Sequence, residues 1–320
     1  MSEERALVLG GGGVAGMAWT TGILAGLADA GTDVTDPDHL LGTSAGAVVG
    51  AQLRLMADLK ALYRAQVEPA LQVAELTPPP DARARSFAFL RRLAAEALGP
   101  AERRRRMGEM ALAAPTVPEA ERMTVIRSRL TLLTSADSRP DSRPDSWPDS
   151  RPEPRPEPRP DSPGPSPGPS PGRPGWPQRP LAVVALDAYT GRTRVFDRHS
   201  GVPLADAVAA SCAVPGAWPP VTIGDSRYID GGVRSMANLD LAVGHGRVLV
   251  IAPSRDRALA ADTDSAAAHG RVKVITPDGA ARAAFGPDPL LPTTRTASAQ
   301  AGYAQGRAAA RTVAALWAVP

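Results

Sequence analysis

The stretch Leu40-Leu41-Gly42-Thr43-Ser44-Ala45-Gly46-Ala47-Val48-Val49-Gly50 decides how this chain is read. It holds G-x-S-x-G, with Ser44 at the centre and small residues on both sides. That spacing suits a sharp strand-to-helix turn, in which glycines two positions either side of the serine let backbones pass closely. Such a turn lifts the hydroxyl out of the sheet and sets it at a helix N-terminus, where the dipole favours developing negative charge. Gly42 and Gly46 would then frame a nucleophile elbow. Small residues that merely pack a helix against a strand give the same pattern, so the rest of the chain has to separate the two readings.

Upstream, Ala6-Leu7-Val8-Leu9 is a short apolar run that reads as a buried parallel strand. It breaks into Gly10-Gly11-Gly12-Gly13-Val14-Ala15-Gly16, and a helix is expected from about Met17 to Ala30, stopped by Gly31. A strand from His39 to Thr43 leads into Ser44, and a helix is expected from Ala45 to about Gln66. Strand, glycine loop, helix, strand, elbow, helix is the start of an α/β sheet. The loop contains G-x-G-x-x-G at Gly11, Gly13 and Gly16. A dinucleotide site would also want an acidic residue at the end of the second strand, but that strand ends at Thr43-Ser44. The loop makes better sense as backbone N–H groups converging on a small anionic centre, an oxyanion hole.

Downstream, residues 70–134 read as a helical, cap-like region broken by Pro78-Pro79-Pro80, Pro115 and Pro118. Arg83, Arg85, Arg91, Arg92 and Arg103 to Arg106 make it the most basic part of the chain: a solvated helix face, or a lid drawn to anionic lipid headgroups. Residues 136–179 are dominated by proline, serine, glycine and mixed charge, and read as a disordered insertion whose removal (Ser138 to Pro177) should leave folding intact. A protein partner docking on its prolines is the alternative to a tolerated surface loop. Strands are expected again at Leu181–Asp187, in a hairpin with Arg192–Phe196, and at Val248–Ile251 and Val272–Ile275. Helices are expected over Pro203–Ser211 and Thr296–Trp317.

The chain has 320 residues, 43% of them hydrophobic and 4% aromatic, enough for one large α/β domain spanning 1–320. The net charge is only +3 and no basic stretch is interleaved with aromatics, which argues against a nucleic-acid partner. Cys212 is the only cysteine, excluding an intrachain disulfide and any cysteine cluster for a metal. The polar start, Met1-Ser2-Glu3-Glu4-Arg5, does not read as a secretory signal, and no run of about 18 apolar residues is present. A cytoplasmic protein, peripheral at a membrane surface if the arginines serve there, is the expectation.

A nucleophilic Ser44 needs a base. An α/β-hydrolase would place several strands before its elbow and a histidine late in the chain. Here one strand precedes Ser44, and none of His39, His199, His245 and His269 has flanks that mark a base. Asp230 differs: it ends an apolar approach and is followed by Gly231 and Gly232, which let it sit in a tight turn at a strand end. A carboxylate bonded to the serine hydroxyl acts as a general base when partial burial raises its pKa.

Taken together, the glycine loop Gly10–Gly16, the elbow Gly42–Gly46, the segment Ala210-Ser211-Cys212-Ala213-Val214-Pro215-Gly216 and the turn Asp230-Gly231-Gly232 resemble the patatin-like phospholipase family. The resemblance lies in four ordered motifs bracketing residues 6 to about 240, with 70–134 and the proline-rich segment outside them. It implies a three-layer α/β/α sandwich with a mainly parallel central sheet. It also implies a serine lipid acyl hydrolase of the phospholipase A or esterase type, with lipid or acyl-ester substrates and no cofactor or metal. Ser44 would be the nucleophile and Asp230 the base, with the backbone of Gly11, Gly12 and Gly13 as oxyanion hole. The chain departs from the family at Ala15, where many members carry arginine, and at Asn238-Leu239-Asp240, which lacks a proline the family often has. Cys212 reads as a packing residue, and a non-catalytic lipid-binding scaffold of the same fold is the competing reading.

Overall fold

Short β-branched and leucine-rich runs form the strands β1 (Arg5–Leu9), β2 (His39–Thr43), β3 (Ala182–Asp187), β4 (Thr193–Phe196), β5 (Val221–Ile223), β6 (Ser226–Asp230), β7 (Arg247–Ile251) and β8 (Arg271–Ile275). The structure is a computed structural model that describes residues 4–55, 58–79, 81–131 and 175–318. Within it the strands make one sheet in the order β5-β6-β3-β2-β1-β7-β8, with β4 also on β3. The run β3-β2-β1-β7-β8 is parallel; β4, β5 and β6 extend it antiparallel.

The helices are α1 (Gly13–Asp29), α2 (Ala45–Leu55), α3 (Leu59–Val67), α4 (Ala82–Ala95), α5 (Pro100–Ala113), α6 (Glu119–Thr131), α7 (Leu204–Ser211), α8 (Arg257–Ala267), α9 (Gly279–Phe285) and α10 (Arg295–Trp317). Strand alternation sorts the buried side chains into two cores. Leu7, Leu9, Val183, Ala185, Leu249 and Ile251 pack with residues of α1, α2, α7 and α10. Ala6, Val8, Val184, Val248 and Val250 pack on the other face with Leu239, Ala242 and two residues of α8, Leu259 and Ala266. The result is the expected α/β/α sandwich around a mainly parallel sheet.

Two helix boundaries differ from expectation. α1 begins at Gly13 rather than Met17, so only Gly10 to Gly12 are loop and the remaining glycines form the first helical turn. The helix expected over 45–66 is two helices, because the Asp58 side chain accepts from the N–H groups of Lys60 and Ala61 and starts α3 afresh. The short α8 and α9, opened in the same way by Asp256 and Asp278, were not anticipated.

α1 is buried along nearly its whole length, and α10 lies against it at unusually short range. A Cβ at Gly22 or Gly26 would lie 2.2 or 2.1 Å from the carbonyl oxygens of Ala299 and Tyr303. Reciprocally, a Cβ at Gly302 or Gly306 would lie 2.3 Å from those of Trp19 and Ile23. Two glycines four apart on each helix interlock with the backbone of the other, and Trp19 Nε1 donates to Gln305 Oε1 at 3.0 Å across the seam.

The cap helices α4, α5 and α6 fold back over the carboxyl ends of the parallel strands. Gly108 of α5 sits where a Cβ would be 1.9 Å from the Ala188 carbonyl oxygen, just past β3. Gln52 of α2 donates to the Arg129 carbonyl of α6 at 2.8 Å. Beneath them Glu75, with its side chain 1% exposed, accepts from both Arg129 of α6 and Arg295 of α10. The two guanidiniums hold its carboxyl below the usual range against the opposing effect of burial.

Of the segment expected to be disordered, residues 136–174 lie outside the described residues. Its last five residues are ordered, which corrects the boundary at 179: Trp176 packs on the main core and its indole N–H donates to the Val202 carbonyl at 2.6 Å. A deletion running to Pro177 therefore removes a core contact and is no longer expected to be neutral.

Glu75→Gln is expected to destabilise the protein by about 3–5 kcal/mol, because it leaves buried guanidiniums without their counter-charge. Urea unfolding measures this, and a loss below about 1 kcal/mol would mean that the triad behaves as a solvated surface pair.

Candidate active site

Strand register brings Ser44 and Asp230 to one level. Thr43 of β2 is opposite Val184 of β3, and Asp230 of β6 is opposite Ala185 on the other side of that strand. The two residues therefore flank β3 at the same height, where the chain leaves the sheet. The Ser44 hydroxyl sits beside the Asp230 carboxylate and favours its ionised form, and both residues line one cavity.

Ser44 occupies the left-handed region, with φ of +54°. For a residue with a side chain this costs about 1–2 kcal/mol and needs support. The Ser44 N–H donates to Ser211 Oγ at 2.8 Å, and that hydroxyl donates in turn to the Val184 carbonyl at 2.6 Å. The Ser44 carbonyl accepts from Ala47 N at 2.9 Å and from Cys212 Sγ at 3.3 Å. Both elbow glycines are there for space: a Cβ at Gly46 would lie 2.0 Å from the Leu9 oxygen, and one at Gly42 would lie 2.6 Å from the Ala47 Cα.

Asp230 is buried, and its Oδ1 accepts the Gly232 N–H at 2.7 Å. A Cβ at Gly231 would meet the Val184 oxygen at 2.4 Å, so the turn needs glycine to pass over β3. Asn238 closes the arrangement from within. Its Nδ2 lies 3.0 Å from Thr43 Oγ1, 2.7 Å from the Ser235 carbonyl oxygen and 3.3 Å from that of Gly231. Its Oδ1 accepts from Arg234 at 2.7 Å. Asn238 thus ties the strand before the serine to the turn after the aspartate, from its own left-handed φ of +52°.

In the glycine loop the structure corrects one expected donor. The Gly11 N–H donates to the Met236 carbonyl at 2.8 Å and is not free for an oxyanion. Among the described residues no hydrogen bond occupies the N–H of Gly12 or Gly13, and both residues line the cavity that holds Ser44 and Asp230. The N-termini of α1 and α2 both point into this space, adding their dipoles to the two free N–H groups.

The cavity has a volume of about 480 Å³. Its apolar wall includes Met107, Val214, Ala217, Val233, Met236 and Leu290, while Arg103 and Arg104 of the cap add charge. Ser86 of α4 donates to the Pro215 carbonyl at 2.8 Å and helps fix the cap over the opening. None of the four histidines lines it. His39 and His245 stand at the opposite, amino ends of the strands, their rings 4.4 Å apart and Glu4 3.9 Å from His39. Ligand atoms of these three residues lie within 4.8 Å of one another, far from the serine's end of the sheet.

Burial, opposed by Ser44 and by the bond from Gly232, pushes the Asp230 pKa up to about 6. Burial also pushes the Cys212 thiol up to about 12, which leaves it an unreactive packing residue at neutral pH. Two supporting residues, Ser211 and Asn238, carried no role in the sequence reading. A third buried side chain, Arg122 of α6, stacks on Trp218 with 3.9 Å from the guanidinium carbon to the ring centroid.

Residues 7–243 match the family model described as Patatin-like phospholipase. The matched span runs through the cap helices as well as the four motifs. Among solved structures, VipD from Legionella pneumophila aligns with a TM-score of 0.42 and 14% identity, over 97% of this chain and 67% of that one. No curated protein matches.

The buried Asp230 has a consequence for stability. The folded protein holds its proton to about pH 6, whereas the unfolded chain releases it near 3.8. Stability is lost as pH rises between those values, by about 3 kcal/mol once both states are ionised. Asp230→Asn is therefore expected to raise the melting temperature at pH 7.5, with the gain shrinking toward pH 4. An equal or lower melting temperature at pH 7.5 would contradict this.

Proposed function

The chain belongs to the patatin-like phospholipase family, and from that premise we propose a serine lipid acyl hydrolase, of phospholipase A or esterase type, built on Ser44 and Asp230. The observation that carries the proposal is a serine at a strained strand-to-helix turn, sharing one cavity with a buried carboxylate beside it whose pKa is raised to about 6. A base poised there is ionised at neutral pH yet still accepts a proton readily.

Ser44 Oγ attacks the ester carbonyl carbon while its proton passes to Asp230. The carbonyl oxygen becomes an oxyanion, met by the N–H groups of Gly12 and Gly13 and the N-terminal dipoles of α1 and α2. Collapse breaks the bond to the alcohol, and the leaving alkoxide takes the proton from Asp230. Water then gives a proton to Asp230 and attacks the acyl-serine; the second collapse breaks the bond from the acyl carbon to Ser44 Oγ, which takes the proton back from Asp230 as the carboxylic acid leaves. Ser211 holds the serine's backbone and Asn238 holds the aspartate turn against it.

The apolar wall suits an acyl chain, and Arg103 and Arg104 suit an anionic headgroup. Each donates to a backbone carbonyl, Leu98 and Gly191 respectively, and neither has a carboxylate partner among the described residues. Arg105 and Arg106, by contrast, are paired with Glu102, and Arg105 also with Glu109. Contact with an anionic membrane surface would therefore run through the rim of the cavity rather than through the whole arginine run.

Ser44→Ala is expected to abolish both fatty-acid release from a phospholipid panel and labelling by a fluorophosphonate. Asp230→Asn should lower kcat by about 10²–10⁴-fold while the protein stays folded. In the wild type, kcat/KM should rise with pH through a single acid limb near 6 and stay level above it. Full activity in the Ser44 variant would sink the mechanism, and an unreactive wild-type Ser44 would leave a lipid-binding scaffold.

A further inference from the structure

Arg122 is 5% exposed, yet two of its donors are unused. Nε and Nη1 are buried and have no hydrogen-bond partner among the described residues. Buried donors are nearly always paired, and an unpaired charged one is costly. Arg129 and Arg295 share the Glu75 carboxylate, and of the two only Arg295 keeps a buried donor, its Nε, without a partner. Arg122 is compensated by the Trp218 ring on which it stacks and by the more distant charges of Glu75 and Asp230, with no carboxylate bonded to it among the described residues.

The position of this side chain accounts for the cost. Arg122 borders a small cavity of about 20 Å³ together with Gly13 and Ser44, at the N-termini of α1 and α2, and with the ion pair of Glu75 and Arg129 on its other side. Space of that size takes one water-sized group. The loop itself, Gly10 to Gly16, offers no side-chain donor. Burial draws the Arg122 pKa down to about 10, which still leaves it charged at neutral pH.

We propose that Arg122 is a catalytic residue for acyl transfer, its guanidinium supplying from cap helix α6 the charged donor to the oxyanion of the tetrahedral intermediate. The buried groups here are three guanidiniums (Arg122, Arg129, Arg295) and two carboxylates (Glu75, Asp230), so one positive charge is left over. When Asp230 takes the serine's proton, its negative charge disappears as the oxyanion's appears. Arg122 meets that transferred charge with donors that no group uses in the resting site. An interaction made only at this stage raises kcat, whereas one made equally to the substrate does not.

The proposal rests on the acyl-hydrolase reading, and its test separates the two. Kinetics are compared on p-nitrophenyl butyrate, a neutral ester, for wild type, Ser44→Ala, Arg122→Met, Arg122→Ala and Arg122→Lys. Arg122→Met is expected to lose about 10²–10³-fold in kcat with KM little changed. Arg122→Ala should regain part of its activity when methylguanidinium is added, a recovery that a purely structural role would not give. Should the shorter variants not fold, Arg122→Lys carries the test, with kcat expected about tenfold down because one ammonium does not reproduce the planar fork. Wild-type kcat in a folded Met variant, or in Lys if only that folds, overturns the proposal. So does a loss confined to KM on this ester, or folded Ala protein with no response to methylguanidinium. Activity remaining in Ser44→Ala would instead overturn the acyl-hydrolase reading.

Discussion

The hydrogen bond from the Ser44 N–H to Ser211 Oγ joins the strained elbow to the end of α7 across 167 residues of sequence. A left-handed serine has lost the backbone conformation its side chain prefers, and it persists only where its surroundings fix it. Here one hydroxyl does this, because Ser211 accepts from Ser44 and donates to Val184 on β3. The next residues then take part: Cys212 bonds the Ser44 carbonyl, and the Ala213 carbonyl accepts the Asp230 N–H at 3.0 Å. Ser44 and Asp230 are thus both referred to one three-residue segment. Their spacing depends on that segment as much as on the sheet.

Much of this was legible in the chain because it has local causes. The G-x-S-x-G spacing encodes a close approach of Gly46 to Leu9, and an Asp-Gly-Gly after an apolar run encodes a turn over a neighbouring strand. Continuous apolar runs gave the parallel strands within a residue or two. What was hidden lies in long-range pairing. No pattern around Ser211 announces a bond to residue 44, and nothing in the glycine loop shows that Met236 takes the Gly11 N–H. The break at Asp58 was misread because apolar periodicity outweighed a capping side chain. Asn238 had a legible signal, since asparagine tolerates the left-handed region, but its four hydrogen-bonding contacts were not.

The cap is joined to the core by charge as well as by packing. Glu75 lies in the loop ahead of α4, Arg129 on α6 and Arg295 at the start of α10, so one carboxylate ties the insertion to the chain's last helix. Interaction energies of this kind are steep in distance once water is excluded. Small shifts of α6 would therefore be felt at the wall of the cavity around Ser44, because Arg122 and Arg129 stand on that same helix.

The interlocked glycines of α1 and α10 extend the same reasoning to the far side of the molecule. Each would-be Cβ collides with a carbonyl oxygen rather than with a side chain, so no change of rotamer relieves it. The response left is for the backbone of one helix to shift against the other, and a shift of α1 as a rod would carry its whole length. Gly26 and Gly13 are separated by about 20 Å of helix axis, and at the N-terminus of α1 Gly12 and Gly13 line the cavity that holds Ser44. A single methyl group at the distal seam thus works as a lever on donor placement at the proximal end. A substitution at the seam can therefore disturb the Ser44 cavity from a helix length away.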